Sequence, residues 1–142
     1  MMKTNDLYLL LTHFPEGSKA QIQELISGET IRFHLSPSRK TKWGHFKAYR
    51  DGSGIPEISI NKNLAPPAFL LTFIHEWAHF LIWKSRIKCA PHGLEWKICY
   101  RDAMRPFLNA TVFDNNMLAV VMRYLNNPTA NITASPELYA LL

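Results

Sequence analysis

Ala68 to Lys84 reads AFLLTFIHEWAHFLIWK, and how this run is interpreted decides the fold. Pro66-Pro67 precedes it, and proline suits a first helical turn because that turn has no use for the proline N–H. The spacing predicts a helix from about Ala68 to about Lys84, apolar on nearly every side and therefore the buried axis of the domain. A run this long also reaches the length of a membrane span. However, His75, Glu76 and His79 at its middle would be costly in lipid, and no other stretch is apolar enough to help cross a bilayer.

Within the helix, His75-Glu76-Trp77-Ala78-His79 is a His-Glu-x-x-His pattern. Side chains four residues apart stack on one helical face with Cβ atoms about 5–6 Å apart, so two imidazoles can converge on one ion. Two histidines and a glutamate in an apolar helix need partners, and the local sequence supplies none. A metal satisfies them, with His75 and His79 as ligands. Glu76 is rotated towards the open side, where it can act as catalytic base.

A catalytic zinc takes three protein ligands and leaves one position open. The leading third candidate is His92, which follows Pro91, is expected at the start of the next helix and adjoins Gly93. Cys89 is the rival, since zinc accepts a thiolate. Trp96 and Cys99 lie four and seven residues after His92 and are expected to pack beneath the metal. His13, His34 and His45 lie in other elements and read as structural.

Working outward, Ser18 with Gln21 looks like a capping box opening a helix through Ile22, Leu25 and Ile26, ended by Gly28. Thr30–Leu35, Lys42–Tyr49 and Glu57–Asn61 read as strands, with the turn residues Asp51-Gly52-Ser53-Gly54 between the last two. The expected sheet is small and antiparallel. A second helix runs from His92 to about Met104 and is halted by Pro106. Asp114 caps a third over Asn115–Leu125, and Ser135-Pro136-Glu137 resembles another helix start. That last helix is cut off at once, which suggests a natural chain continuing beyond Leu142. The fold class is α+β: one domain over residues 1–142, with a core of about 30–106 and a C-terminal helical extension, 107–142.

The 142 residues are 47% hydrophobic and 12% aromatic, which excludes a disordered chain. Leu7–Leu11 is too short for a signal-peptide core, so export is not expected. Two cysteines, Cys89 and Cys99, are too few for a disulfide scaffold and fit a reducing, cytoplasmic setting. Thirteen lysines and arginines but only five acids fall between Ile31 and Arg105, which makes an anionic partner worth considering. Arg39, Lys40, Lys42 and Trp43 are candidate nucleic-acid contacts, with Phe46 and Tyr49 interleaved as aromatics that could stack on bases.

The pair His75-Glu76-Trp77-Ala78-His79 and Pro91-His92-Gly93-Leu94-Glu95-Trp96 resembles the SprT-like metallopeptidases, relatives of the Spartan protease of DNA–protein crosslinks. Trp43-Gly44, Ile58-Ser59-Ile60-Asn61 and Leu64 are similar to that family's approach to its site, and the resemblance spans about Thr30 to Met104. It implies a zincin-like fold, one zinc ion on His75, His79 and His92, and Glu76 as general base. It also implies hydrolysis of peptide bonds in proteins, including DNA-bound or DNA-crosslinked ones, with single-stranded DNA as a partner. Many bacterial members carry a C-terminal cysteine-rich zinc ribbon, which this chain lacks. Two other readings use the same residues: a zinc hydrolase of small amides, and a DNA-binding module with a structural zinc, which would have no use for Glu76. Substrate could lie along the edge of either Lys42–Tyr49 or Glu57–Asn61 as an added strand.

Overall fold

The computed structural model describes residues 4–142, and the fold is α+β. A short helix α1 (Thr4–Leu11) and a 3₁₀ turn lead into α2 (Lys19–Ile26). Three strands follow: β1 (Arg32–Ser36), β2 (Gly44–Lys47) and β3 (Glu57–Asn61). The long helix α3 (Pro66–Ser85) is succeeded by α4 (Leu94–Met104), α5 (Asn115–Leu125) and the single turn α6 (Pro136–Tyr139).

The sheet order is β1-β3-β2, with β1 parallel and β2 antiparallel to β3. The expectation of an antiparallel sheet is therefore corrected: the sheet is mixed. Alternating polar and apolar residues fix which side chains face inward but say nothing of strand direction. Here the 36–43 connection carries the chain from one edge of β3 to the other, so β1 and β2 flank it with opposite sense. β3 is consequently central and nearly all buried, whereas β2 keeps a free edge.

α3 is buried without a break from Ala68 to Ala78. It starts on Pro66 and Pro67 and ends where Arg86 turns left-handed, at φ 64°. Aromatic rings lock its packing. Phe14 meets Phe69 and Phe73 edge-on, and Phe73 stacks on Trp77 at 5.9 Å. Phe46 of β2 lies 6.3 Å from both Phe80 and Trp83, and Trp83 Nε1 donates to Tyr49 O at 2.8 Å. Buried side chains from Leu10 to Leu138 form one contiguous cluster, which includes the C-terminal helices.

Capping follows the sequence at α5, where Asp114 accepts from Met117 N at 2.8 Å. It does not at α2: Ser18 Oγ instead donates backward to Pro15 O at 2.7 Å, so the expected capping box is absent. No helix among the described residues is long and apolar enough to cross a membrane.

Candidate metal centre

His75 and His79 project from the buried middle of α3, one turn apart. His92 reaches them from the connection between α3 and α4, and it precedes α4 rather than opening it. Gly93 N donates to Ala90 O at 3.0 Å, closing a turn with Pro91 second and His92 third. His92 sits at φ 61°, the left-handed value this turn type requires at its third position, where glycine is usual. A histidine there costs of order 1–3 kcal/mol of backbone strain. Anchors on either side hold it: Lys97 N donates to Gly93 O at 3.0 Å, and the Trp96 ring lies under the imidazole.

The result is a tight convergence. His92 Nε2 lies 3.1 Å from His75 Nε2 and 3.0 Å from His79 Nε2. The three form the group among the described residues that could hold a metal ion. Cys89 does not join it; with His79, Pro91 and Trp96 it lines a neighbouring cavity. Trp96 orients all three imidazoles, its ring centroid 4.6, 5.5 and 4.7 Å from those of His75, His79 and His92. Its Nε1 donates to His75 O at 3.3 Å. Cys99 packs behind, with its Sγ 3.8 Å from Ala78 O.

Burial sets the protonation of the site. It pushes His75 down to about 2 and His79 down to about 4, with neighbouring imidazoles adding to both shifts. Burial alone lowers His92. All three rings are therefore neutral at pH 7, as ligation demands. Glu76 Oε2 lies 3.9 Å from His75 Nε2. Desolvation raises its carboxyl to about 8, against the opposing pull of Lys42 and Arg39.

The centre opens into a cleft of about 380 Å³. One wall is the segment from Thr41 to Phe46, the other is Ala130–Ile132, and Thr72 lies at the base with the histidines. Gly44 explains how β2 comes so close to α3. A Cβ there would stand 2.7 Å from Thr72 Cγ2 and 3.0 Å from Glu76 Oε2.

The roles of several contributors were not marked by sequence reasoning. Asn61 is 2% exposed and acts as a hub. Its Oδ1 accepts from Ser36 Oγ and Arg39 Nε, its Nδ2 donates to Arg39 O and Lys42 O, and its N–H donates to Trp43 O. It thereby pins the 36–43 connection beside the site. Thr72 Oγ1 is buried without a partner one turn before Glu76. His45, expected to be structural, lines the cleft. The far wall is held by α4: Arg101 donates to Leu125 O and Asn126 O, and Lys97 Nζ donates to Asn127 Oδ1 at 2.6 Å. Only Thr72 carried a local signal, lying three and four residues before His75 and Glu76 on one helical face.

The candidate nucleic-acid residues separate. Arg39 is turned into the Asn61 clamp, and Trp43 is half-buried at 6.0 Å from Tyr139. Phe46 faces α3, while Lys40 and Lys42 are exposed.

The chain was compared with protein-family models, with curated proteins and with solved structures, and none matches it.

Proposed function

We propose that this chain is a zinc-dependent peptidase of the SprT-like type, with a zincin-like fold built around α3. The observation that carries the reading is the convergence of three neutral imidazole nitrogens with one buried carboxyl group at the floor of an open cleft. Three imidazoles suit zinc with a fourth position free. In a tetrahedral site with Zn–N lengths of about 2.0–2.1 Å, ligand nitrogens stand about 3.3–3.4 Å apart. The two separations from His92, at 3.0–3.1 Å, thus need only a small outward movement.

A zinc ion held there supplies Lewis acidity, which polarises a substrate carbonyl and acidifies water. The chain's own groups do the rest. Glu76 holds its proton at pH 7 in the metal-free chain and would release it beside a bound cation. The ionised carboxylate then takes a proton from the attacking water and passes it to the amine nitrogen as the C–N bond breaks. Its buried position 3.9 Å from His75 Nε2 keeps the carboxylate at the reacting atoms. Trp96 fixes the imidazole planes. β2 offers its free edge to an extended polypeptide, and β3, paired on both sides, is excluded from that role. Main-chain pairing of this kind accepts many sequences, which suits protein substrates, DNA-bound ones included.

The test compares wild-type protein with Glu76→Gln, measuring bound zinc and cleavage of a DNA-binding protein with and without single-stranded DNA. One zinc per chain in both and cleavage only in the wild type are expected. Absence of stoichiometric zinc from both refutes the reading. Zinc without cleavage under any condition returns the site to a small-amide hydrolase or a structural centre.

A further inference from the structure

The cleft carries an asymmetry of charge that the hydrolytic reading does not use. Among the described residues that line it, Lys42 is the sole lysine or arginine and Glu76 the sole acid. Glu76 is committed to proton transfer. The opposite wall, Ala130–Ile132, brings no charge at all. Lys42 is exposed, and Arg39 stands behind it. Neither takes part in any ion pair among the described residues.

Lys42 is also held in place. Asn61 grips its carbonyl from Nδ2 at 3.1 Å and the next carbonyl, Trp43 O, from its own N–H at 2.8 Å. A cation whose backbone is already fixed at the mouth of a cleft binds an anion without also ordering a loop, so only the freedom of the side chain itself is lost.

Position supplies the rest of the argument. At Gly44, β2 closely approaches Glu76: a Cβ there would stand 3.0 Å from Glu76 Oε2. Lys42 lies two residues before Gly44, in the connection just ahead of β2, on the side that an antiparallel substrate reaches after passing the catalytic base. We propose that Lys42 is a specificity-determining residue that selects polypeptide segments bearing a carboxylate just beyond the bond to be cut. The carboxylate is that of an aspartate or glutamate side chain or of the chain terminus. The proposal rests on the peptidase reading for the location of that bond. A charge-assisted contact to an exposed lysine is worth about two- to fivefold in kcat/KM, and salt weakens it.

Zinc-loaded protein is given matched peptides with Glu, Gln or Lys immediately after the cleaved bond, each as free acid and as amide. Binding of the same peptides to zinc-loaded Glu76→Gln protein is followed in parallel by fluorescence anisotropy. The expected order is Glu above Gln above Lys, with about two- to fivefold between the first two at low salt and less at 0.5 M NaCl. Lys42→Met should level the series and Lys42→Glu should invert it, in both cleavage and binding. A preference that follows the free terminus instead of the side chain assigns the carboxylate to the chain end and supports the proposal. Equal values across the series, or a preference that persists in Lys42→Met, overturn it. So does competition by a single-stranded oligonucleotide that suppresses every peptide alike without side-chain preference. If nothing is cleaved but the anisotropy order depends on Lys42, the peptidase reading falls and the anion site stands.

Discussion

Replacing Gly44 by alanine tests the packing that brings β2 against the candidate site. Glycine inside a strand ordinarily costs about 0.5–1 kcal/mol relative to alanine, so an unhindered Gly44→Ala would stabilise the protein. Here the new methyl would stand 2.7 Å from Thr72 Cγ2 and 3.0 Å from both Glu76 Oε2 and Ile60 Cδ1. Thr72 and Ile60 are buried at 3% and 1% exposure and cannot step aside cheaply. Overpacking of this kind costs about 1–3 kcal/mol, so the net loss should be about 1–2 kcal/mol. At this size that lowers Tm by about 3–8 °C. Thermal unfolding is followed by circular dichroism with metal removed, so that ligand linkage does not enter. Thr72→Ser removes the closest contacting atom and keeps the hydroxyl. In that background Gly44→Ala should cost at least about 1 kcal/mol less, a coupling that a double-mutant cycle reads directly. Gly44→Ala should also bind zinc at wild-type stoichiometry while losing roughly tenfold or more in kcat, because Glu76 is pushed from its position. An increase in Tm, or an equal cost in both Thr72 backgrounds, would refute the reasoning.

Four further outcomes are expected. His92→Ala should abolish stoichiometric zinc binding while Cys89→Ala leaves it intact, as read by atomic absorption; the reverse would make Cys89 the third ligand. Metal-free protein should be most stable near pH 6.5, as measured by urea unfolding across pH. Below pH 6.5 the unfolded chain protonates His75 and His79, whereas the folded chain, with values of about 2 and about 4, does not. Above pH 6.5 the folded chain keeps the Glu76 proton up to about 8, while the unfolded carboxyl has lost it. With the Glu76 effect offsetting one histidine below pH 6.5, each limb should slope at up to about 1.4 kcal/mol per pH unit, and Glu76→Gln should remove the alkaline limb. Asn61→Ala deletes four side-chain hydrogen bonds and should cost about 2–4 kcal/mol, with faster amide exchange over residues 39–43; a loss below about 1 kcal/mol would deny it the role of hub. Asp114→Ala should cost about 1 kcal/mol through the lost cap on α5, and no change in the urea midpoint would contradict that.

What the amino-acid order determined by itself is what short-range geometry controls. The helical repeat placed His75, Glu76 and His79 together, because stacking at four-residue spacing is a property of the helix and needs no other element. Pro66-Pro67 marked the start of α3, Asp114 marked that of α5, and the alternation at Glu57–Asn61 located β3 to the residue. A third ligand was expected from an element after α3, with His92 the leading candidate and Cys89 the rival. Their placement took the tertiary structure: the Ala90–Gly93 turn brings His92 to the other two imidazoles, while Cys89 lines a neighbouring cavity. The direction of β1, the Asn61 hub and the Ala130–Ile132 wall were likewise illegible. Each depends on contacts between residues 19 to 60 or more positions apart, and no local periodicity encodes such contacts. Gly44 shows the division most sharply. In sequence it is one glycine in a strand, and its meaning comes entirely from Thr72 and Glu76, which the fold brings to within about one methyl group of it.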